Sequence, residues 1–313
     1  MPTTFYLDGT TLSDSTAVYT DAALTTCATD GFYSDGIVSR ELVSCVLQPE
    51  VVCAACGVPC GGALNPPGGD TGLYLVNVET GNTDADVGAV VIHFQPYQVP
   101  DGIRVMYDGV TYNKLSSEVF GYKAASDSDH FTLLGVSTSG CAPDLLAGPY
   151  PLTYTLDVFE FDGTGWDDLS TTRDEDIVAG DLAFDSVDGN WYTMVIPKLT
   201  RNPSLLEVEV IAPCASTGWD IAVTCPAALP SFSSNTTLGA SKASSALACA
   251  DTGSATFYRA GYAGGTGNTV TIYDWVFSDS FGENVLPSGW YKGGGVGSFE
   301  VDSNGVVITI TAC

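Results

Sequence analysis

Apolar positions recur along the chain in short alternating or continuous runs, and no segment sustains the helical period of about 3.6 residues. Short runs rich in β-branched and aromatic side chains, bounded by turn residues, are typical of strands. Runs of this kind occupy residues 73–78, 89–94, 103–107, 154–161, 192–196, 205–211 and 306–310. The pattern therefore predicts an all-β protein.

Turn signals separate several of these runs. Asp-Gly and Asn-Gly dipeptides supply the positive φ angles that tight β-hairpins require. Asn304-Gly305 is one of them, and segment 101–112 has the pattern of a strand, a tight turn and a second strand. Asp-Gly occurs at Asp8, Asp30, Asp35, Asp101, Asp108, Asp162 and Asp188.

Two segments indicate boundaries between structural units. The first, at residues 57–72, is rich in Gly and Pro, which disfavour strands and helices, and this composition predicts a linker. The second, at residues 226–254, is rich in Ser, Ala and Thr. Its apolar residues show only a weak periodic pattern, which predicts another connection. The strand candidates between them have the spacing that a β-sandwich or jelly roll requires. We expect a small β module at 1–56, a linker at 57–72, a central β-sandwich at 73–225, a connection at 226–254 and a second small β module at 255–313.

A degenerate repeat relates the two ends of the chain. Residues 5–45 and 257–313 share an order of aromatic, turn and cysteine landmarks, although the second copy is longer. The matched landmarks are 5–6 with 257–258, 18–21 with 272–274, 31–33 with 289–291, and 36–38 with 305–307. Duplicated modules at both ends of a larger unit favour a part that is mounted in an assembly, because repeats are typical of modular arrays.

The charge of the chain is strongly negative. Its 313 residues carry 37 acids against 10 Lys and Arg, for a formal net charge of −27. Such a charge favours solubility and argues against nucleic-acid phosphates or an anionic membrane surface as partners. The hydrophobic content of 45% is that of a folded protein rather than a disordered one.

The number of cysteines and the first residues of the chain indicate the cellular compartment in which the protein is made and used. The first residues have no basic region and no apolar core of a secretory signal, and no apolar run reaches the ~18 residues of a membrane span. We therefore expect cytoplasmic synthesis and no membrane insertion. Ten cysteines are unusual in a cytoplasm, where thiols stay reduced. A particle that is assembled inside a cell and used outside it fits both observations.

Four cysteines form the densest chemical feature. Cys45, Cys53, Cys56 and Cys60 present four thiolates that would suit a structural zinc ion. Disulfides or free thiols are the preferred interpretation, because the second CxxC pair of a zinc ribbon is missing. Two further pairings are proposed, Cys214 with Cys225 and Cys249 with Cys313.

Acidic loops are the other candidate metal ligands. Oxygen-rich loops on a β-sandwich are suitable ligands for structural calcium, although none has EF-hand spacing and solvated loops are the simpler interpretation. The acidic clusters are Asp84 and Asp86, Asp127 and Asp129, Asp157 with Glu160 and Asp162, Asp167 and Asp168, and Asp174 to Asp176.

Catalytic signatures are scarce. His93 lies in an apolar strand candidate and is better explained as a core or interface residue than as a general base. His130, the second of two histidines, lies in a polar turn. The sequence contains no HExxH, GxSxG, P-loop or dinucleotide fingerprint. We therefore predict no catalytic residues and no resident cofactor.

Five tryptophans offer a surface for sugar rings, with core or interface packing as the favoured alternative. They are Trp166, Trp191, Trp219, Trp275 and Trp290. No ligand-binding residues are assigned from the sequence.

Three stretches carry a family resemblance. The motifs at 5–9, 17–21 and 30–36, those at 99–104 and 107–109, and the motif at 273–279 resemble virion structural proteins of tailed phages, particularly long-tailed phages of marine bacteria. Such modules occur in tail, fibre and baseplate-associated proteins. The resemblance implies a particle component and supplies no active residues.

The leading prediction is a non-enzymatic virion protein that binds other virion proteins and itself, as a trimer in a fibre. Attachment to carbohydrate of the host surface is the expected activity at a fibre or tip. A head-decoration or purely scaffolding protein is the second class. A glycan depolymerase with paired carboxylates is the third, and the absence of a regular solenoid period argues against it.

Overall fold

A computed structural model describes residues 4–12, 14–34, 38–48, 51–52, 57–65, 69–116, 140–141, 145, 151–177, 181–183, 191–234, 241–261 and 269–313. Strands make up nearly all of its regular structure, and each of the seven apolar runs lies in or overlaps a strand. The prediction of an all-β chain is confirmed. Within these ranges no helix is long and apolar enough to cross a membrane.

The N-terminal module consists of six short strands in two sheets. One sheet is the pair β1-β2. The other has four strands: β3, β4 and β5 lie side by side in that order, and β6 also pairs with β4. Its small core contains Leu12, Val18 and Leu42. The guanidinium of Arg40 donates hydrogen bonds to four backbone carbonyls around this core. The strands are β1 (Tyr6–Leu7), β2 (Val18–Tyr19), β3 (Gly31–Ser34), β4 (Val38–Val43), β5 (Val46–Leu47) and β6 (Val51–Val52).

The central unit is a sandwich of an eight-stranded and a four-stranded sheet. The larger sheet contains β7 (Val58–Pro59), β9 (Gly72–Glu79), β11 (Asp101–Tyr107), β12 (Val110–Tyr112), β13 (Leu152–Phe161), β14 (Trp166–Ile177), β15 (Leu182–Ala183) and β17 (Leu205–Ala212). The smaller sheet contains β8 (Ala63–Leu64), β10 (Gly88–Gln95), β16 (Tyr192–Lys198) and β18 (Asp220–Val223). The finer prediction of a jelly roll stays a prediction.

The main core lies between these two sheets. Alternate residues of each strand point to one face, so β10 directs Val90, Ile92 and Phe94 inward against Val76 and Val208 of the larger sheet. The opposite face presents residues 89, 91 and 93 of β10 beside residues 197, 195 and 193 of β16, in that order. This outer face receives the C-terminal module.

The expectation that 57–72 is a linker without strands is wrong. Strand β7 pairs with β9, and β8 pairs with β18, so both sheets of the sandwich extend into this segment. Cys60 forms a disulfide with Cys225, 165 residues away. Tertiary pairing supplies backbone partners that the local Gly and Pro content does not favour.

The prediction that an Asp-Gly dipeptide forms a tight turn is correct at Asp108 and wrong at Asp101. Asp108 and Gly109 join β11 to β12 with φ angles of 49° and 73°, as a tight hairpin requires. Asp101 and Gly102 instead lie inside β11 and pair with β15 and β17. A dipeptide signal therefore indicates a turn only where the flanking strands pair with each other.

A ring of four charged side chains holds the β13–β14 hairpin over the outer face of the larger sheet. Only residues 158–160 of β13 pair with β9, and the rest of the hairpin packs above Leu73 and Ile211. Arg104 contacts Glu209, its in-register neighbour, and lies 2.7 Å from Glu175. Arg173 contacts the same two carboxylates. Arg104 therefore pairs with an acid across the sheet and with another on the hairpin above it.

The C-terminal module is a six-stranded sheet of order β21-β20-β19-β22-β23-β24. Its core includes Phe232, Phe257, Tyr291 and Phe299, whose rings contact one another. The elements are β19 (Ser231–Ser234), α1 (Ser245–Cys249), β20 (Ala255–Ala260), β21 (Trp275–Phe277), β22 (Gly289–Gly293), β23 (Gly297–Val301) and β24 (Val307–Thr311).

The C-terminal module begins earlier in the chain than the sequence pattern predicts. The segment 226–254, expected to be a weakly structured connection, contains β19 in the middle of the sheet and α1 against β22 and β23. The four residues of β19 are too few to be recognised as a strand by their pattern, because the strand gains its partners β20 and β22 from residues that follow it in the chain.

Candidate docking site

The C-terminal module contains a loop that is organised around one carboxylate. Asp279 accepts backbone hydrogen bonds from Phe281 at 2.9 Å, Glu283 at 3.2 Å and Asn284 at 2.7 Å. Burial opposes ionisation of Asp279, but these N–H groups outweigh it and lower its pKa. Gly282, with φ of +75°, forms the tip. We call residues 279–284 the C-terminal docking loop.

The N-terminal module contains the same loop at residues 21–26, the N-terminal docking loop. Asp21 accepts backbone hydrogen bonds from Ala23 at 3.0 Å, Thr25 at 3.2 Å and Thr26 at 2.6 Å, at the same three offsets. The residue before each aspartate closes the loop with its N–H on the carbonyl six residues later. Leu24, with φ of 56°, takes the place of Gly282.

A second feature of the module is also duplicated. The hydroxyl of Tyr33 donates to the carbonyl of Thr29 at 2.6 Å, and that of Tyr291 donates to Pro287 at 2.6 Å. In each copy this tyrosine lies in the strand that follows the docking loop. The prediction that residues 31–33 match 289–291 agrees with this geometry.

Two other landmarks of the repeat were aligned incorrectly. Residues 18–21 correspond to 276–279, not to 272–274, because only the former precede an equivalent loop. Val38 does not match Val307, since Val38 begins β4, whose counterpart is β23, whereas Val307 begins β24; residues 36 and 37 lie outside the described residues. The signal that identifies the loop is an aromatic residue, then Thr or Ser, then Asp, at 19–21 and 277–279.

The C-terminal docking loop is seated on the outer face of the smaller central sheet. A Cβ added at Gly282 would lie 2.5 Å from Val195, 3.5 Å from Leu229 and 3.7 Å from Ala89. The carbonyl of Ser280 accepts a hydrogen bond from the N–H of Leu229 at 2.8 Å. Because a side chain has no room at the tip, glycine permits the close approach of loop and sheet.

Trp275 anchors the module beside this loop. Its indole Nε1 donates to the carbonyl of Thr193 at 2.7 Å, and its ring stacks on Phe277 with centroids 6.1 Å apart. Both rings are buried, together with Val195 and Val306. Of the five tryptophans considered for sugar stacking, Trp219 and Trp275 are buried and do not offer a face to solvent.

His93 lies at the same face and is consistent with an interface role. Its Nδ1 is 3.3 Å from the hydroxyl of Thr193, the residue that receives Trp275. Burial lowers the pKa of His93 to about 4, so the ring is neutral at physiological pH. His130 lies outside the described residues.

The lowered pKa of His93 makes its contribution to the stability of the fold depend on pH. Its folded pKa lies below the ordinary 6.5, so the unfolded chain binds a proton between about pH 6.5 and 4 that the folded chain does not. His93 therefore removes stability as pH falls through this window. The free energy of unfolding of His93→Gln should depend less on pH there than that of the parent, by at most about 1.4 kcal/mol per pH unit. Urea titrations across this range test it, and identical slopes would contradict it.

Two of the four cysteines considered for zinc are held in disulfides. Cys45 is bonded to Cys27 and Cys60 to Cys225, so two of the four proposed ligands are half-cystines, and Cys53 and Cys56 lie outside the described residues. The proposed Cys214–Cys225 pair is wrong, since Cys214 is bonded to Cys141. The Cys249–Cys313 pair is confirmed. Sequence spacing favours local partners, whereas these bonds follow strand pairing.

Several carboxylates of the described acidic clusters bond groups of their own turns and strands. Asp86 accepts hydrogen bonds from the N–H and hydroxyl of Thr83, and Asp162 from those of Thr164. Glu175 belongs to the charged ring. Among the described residues no three His, Cys, Asp or Glu side chains gather into a metal site, and Asp127 and Asp129 lie outside that part of the chain.

A polar groove opens at one end of the sandwich. It has a volume of about 630 Å³, and its walls include Tyr97, Ser216 and Asp220. The Tyr97 hydroxyl donates to Asp220 at 2.5 Å, and Tyr97 and Ser216 have φ angles of 51° and 62°. Non-glycine residues in this region carry backbone strain, which is frequent at binding sites. We call this cavity the Tyr97 groove.

No protein-family model, curated protein or solved structure matches the chain.

Proposed function

We propose that the protein is a non-enzymatic structural subunit of a tailed-phage virion, associated with the tail, a fibre or the baseplate. The observation that carries the proposal is the duplicated module, with one copy seated on a sheet and the other offering its docking loop to solvent. A fold that repeats a docking element at both ends is suited to joining subunits. The sequence resemblance to virion proteins supports the same role.

The chemistry of the described residues favours assembly over catalysis. His93 is held neutral against Thr193, and within the acidic clusters Asp86 and Asp162 cap turns while Glu175 forms ion pairs. The four disulfides among the described residues join positions 18 to 165 residues apart, as suits a particle exposed to an oxidising medium. Capsid decoration or scaffolding, without a ligand, is the alternative within the same class.

The location of the chain in the particle tests the proposal. Cryo-electron microscopy of intact virions from the source phage, with Fab fragments raised against the purified chain, should place it on the tail, fibre or baseplate. Density over the capsid would overturn the tail assignment in favour of decoration. Absence of the chain from purified virions would overturn the structural role altogether.

Host-surface glycan attachment is a second candidate activity, and the Tyr97 groove favours it. A groove with carboxylates and an aromatic hydroxyl offers hydrogen-bond partners to sugar hydroxyls. A fibre or tip position would direct a glycan screen to this groove, with Tyr97→Phe as the first variant. A capsid position would remove the reason for glycan binding.

A further inference from the structure

The fold leaves buried polar groups unsatisfied around the Tyr97 groove. Oδ1 of Asp101 and the indole Nε1 of Trp219 are buried and have no hydrogen-bond partner. Trp219 lines the groove, and so does Thr217, whose hydroxyl donates to the other carboxylate oxygen of Asp101 at 2.5 Å. Unsatisfied buried polar groups are rare in folded proteins, and positions that break a folding rule are expected at functional sites. These two groups therefore indicate that the groove has a role beyond packing.

The walls of the groove are fixed by bonds between distant segments. The N–H of Ser216 donates to the carbonyl of Gly69 at 2.7 Å, which joins two of the walls. The disulfide between Cys141 and Cys214 holds the beginning of the loop that contains Ser216. Within this frame Tyr97 and Ser216 keep left-handed φ angles, which persist only where the surrounding structure imposes them. A groove held in this way loses little conformational entropy when a ligand binds.

The groups that line the groove suit a ligand that donates hydrogen bonds. Asp70 and Asp220 contribute two carboxylates, which only accept. The Tyr97 hydroxyl donates to Asp220 at 2.5 Å, which fixes the position of both groups. Ser216 and Asn65 add a hydroxyl and an amide. Each carboxylate can accept from two neighbouring hydroxyl groups, and adjacent hydroxyls of this kind are the common feature of sugar rings.

An acidic ligand does not suit the same groove. Among the described residues that line it there is no Lys, Arg or His to offset the carboxylates of Asp70 and Asp220. A carboxylated or phosphorylated sugar would bring a like charge close to both, without the screening of open water. The net charge of −27 on the chain adds repulsion at longer range. The groove therefore discriminates between sugars by repelling the acidic ones.

We propose that the Tyr97 groove binds a neutral sugar residue, whose adjacent hydroxyl groups donate to Asp70 and Asp220, and that it rejects acidic sugars. The volume of about 630 Å³ lies within the range of ~300–1,000 Å³ that is usual for small-molecule sites. The proposal rests on the glycan attachment proposed above, and it names the class of sugar and the carboxylates that recognise it.

An array of matched oligosaccharide pairs tests the class of sugar. Each pair has one linkage and one stereochemistry, and its members differ only in the carboxylate at C6: oligomannose with oligomannuronate, oligoglucose with oligoglucuronate, and oligogalactose with oligogalacturonate. The purified, oxidised full-length chain should bind the neutral member of at least one pair at least tenfold more tightly than the acidic member. Tighter binding of the acidic members overturns the proposal. Binding to none of the probes overturns both the proposal and glycan attachment at this groove.

Variants of the two carboxylates test the place of binding. Asp70→Asn and Asp220→Asn should each weaken binding of the preferred neutral probe at least tenfold, because an amide has one acceptor oxygen and adds N–H donors. Asp167→Asn removes the same charge from an exposed position of β14 and is the matched control, with binding unchanged. Circular dichroism verifies that each variant is folded, and Asp70 is itself exposed.

Binding that either groove variant leaves unchanged overturns the proposal while glycan attachment through another surface stands. None of these results affects the virion assignment, which particle microscopy decides separately.

Discussion

Gly282→Leu is expected to detach the C-terminal module from the central sandwich. The leucine Cβ would lie 2.5 Å from Val195 and 3.5 Å from Leu229, within the outer face of the smaller sheet. The backbone at this position has φ of +75°, which also disfavours a side chain. Overpacking and backbone strain together should lower the free energy of unfolding by about 2–5 kcal/mol.

Tryptophan fluorescence and amide hydrogen exchange measure this detachment through Trp275, which is buried at the interface. Trp275 donates to the Thr193 carbonyl, so detachment should expose both, shift the tryptophan emission to longer wavelength and speed amide exchange in β16. Leu24→Gly is the reciprocal control, because the same position in the N-terminal loop is exposed. Its stability should change by less than about 1 kcal/mol. Equal effects of the two variants would contradict the assignment of Gly282 as a contact residue.

Asp274→Asn is expected to destabilise the C-terminal module by about 3–5 kcal/mol, because it leaves the guanidinium of Arg259 buried without its countercharge. Arg259 and Asp274 are 2.8 Å apart, and each side chain is 3% exposed. Asp274 also accepts from the N–H and hydroxyl of Thr271, which orders the turn before Trp275. Denaturant unfolding with fluorescence detection measures the loss.

The double variant Arg259→Met/Asp274→Leu provides the control. Burial raises the pKa of Asp274, although the hydrogen bonds from Thr271 and the charge of Arg259 oppose that shift. Ionised Asp274 is thus less favourable when folded than in water, and its contribution to stability declines as pH rises above 3.8 through the raised pKa. Removing both charges should recover most of the loss, since an apolar pair avoids desolvation. A double variant as unstable as Asp274→Asn would contradict this.

Strand positions in the sandwich could be predicted from the sequence because they depend on local alternation. The burial pattern of β10 alternates about the apolar run at residues 89–94, and the outer residues Ala89 and Val91 are as apolar as the inner ones. That second apolar face is the only local sign that another module covers the sheet. The sequence cannot tell which module it is.

The repeat was recognisable, but its alignment was not. Aromatic and glycine landmarks at 31–33 and 289–291 are strong enough to match by eye. The docking loops share only three residue types in a row, an aromatic residue, Thr or Ser, and Asp, and Asp21 and Asp279 are equivalent through hydrogen bonds to backbone groups that any residue carries. Sequence comparison does not detect a pattern made by the main chain.

The sequence alone determined the all-β class, the acidic and cysteine-rich character, the existence of two related ends and the hairpin at Asp108-Gly109, because each depends on composition or on neighbouring residues. Only the tertiary structure decided the disulfide partners, the place of β19 inside the last sheet, the seat of Gly282 on Val195 and the exposure of Leu24. These features join residues far apart in the chain, and their energies come from packing and backbone pairing that no local pattern encodes.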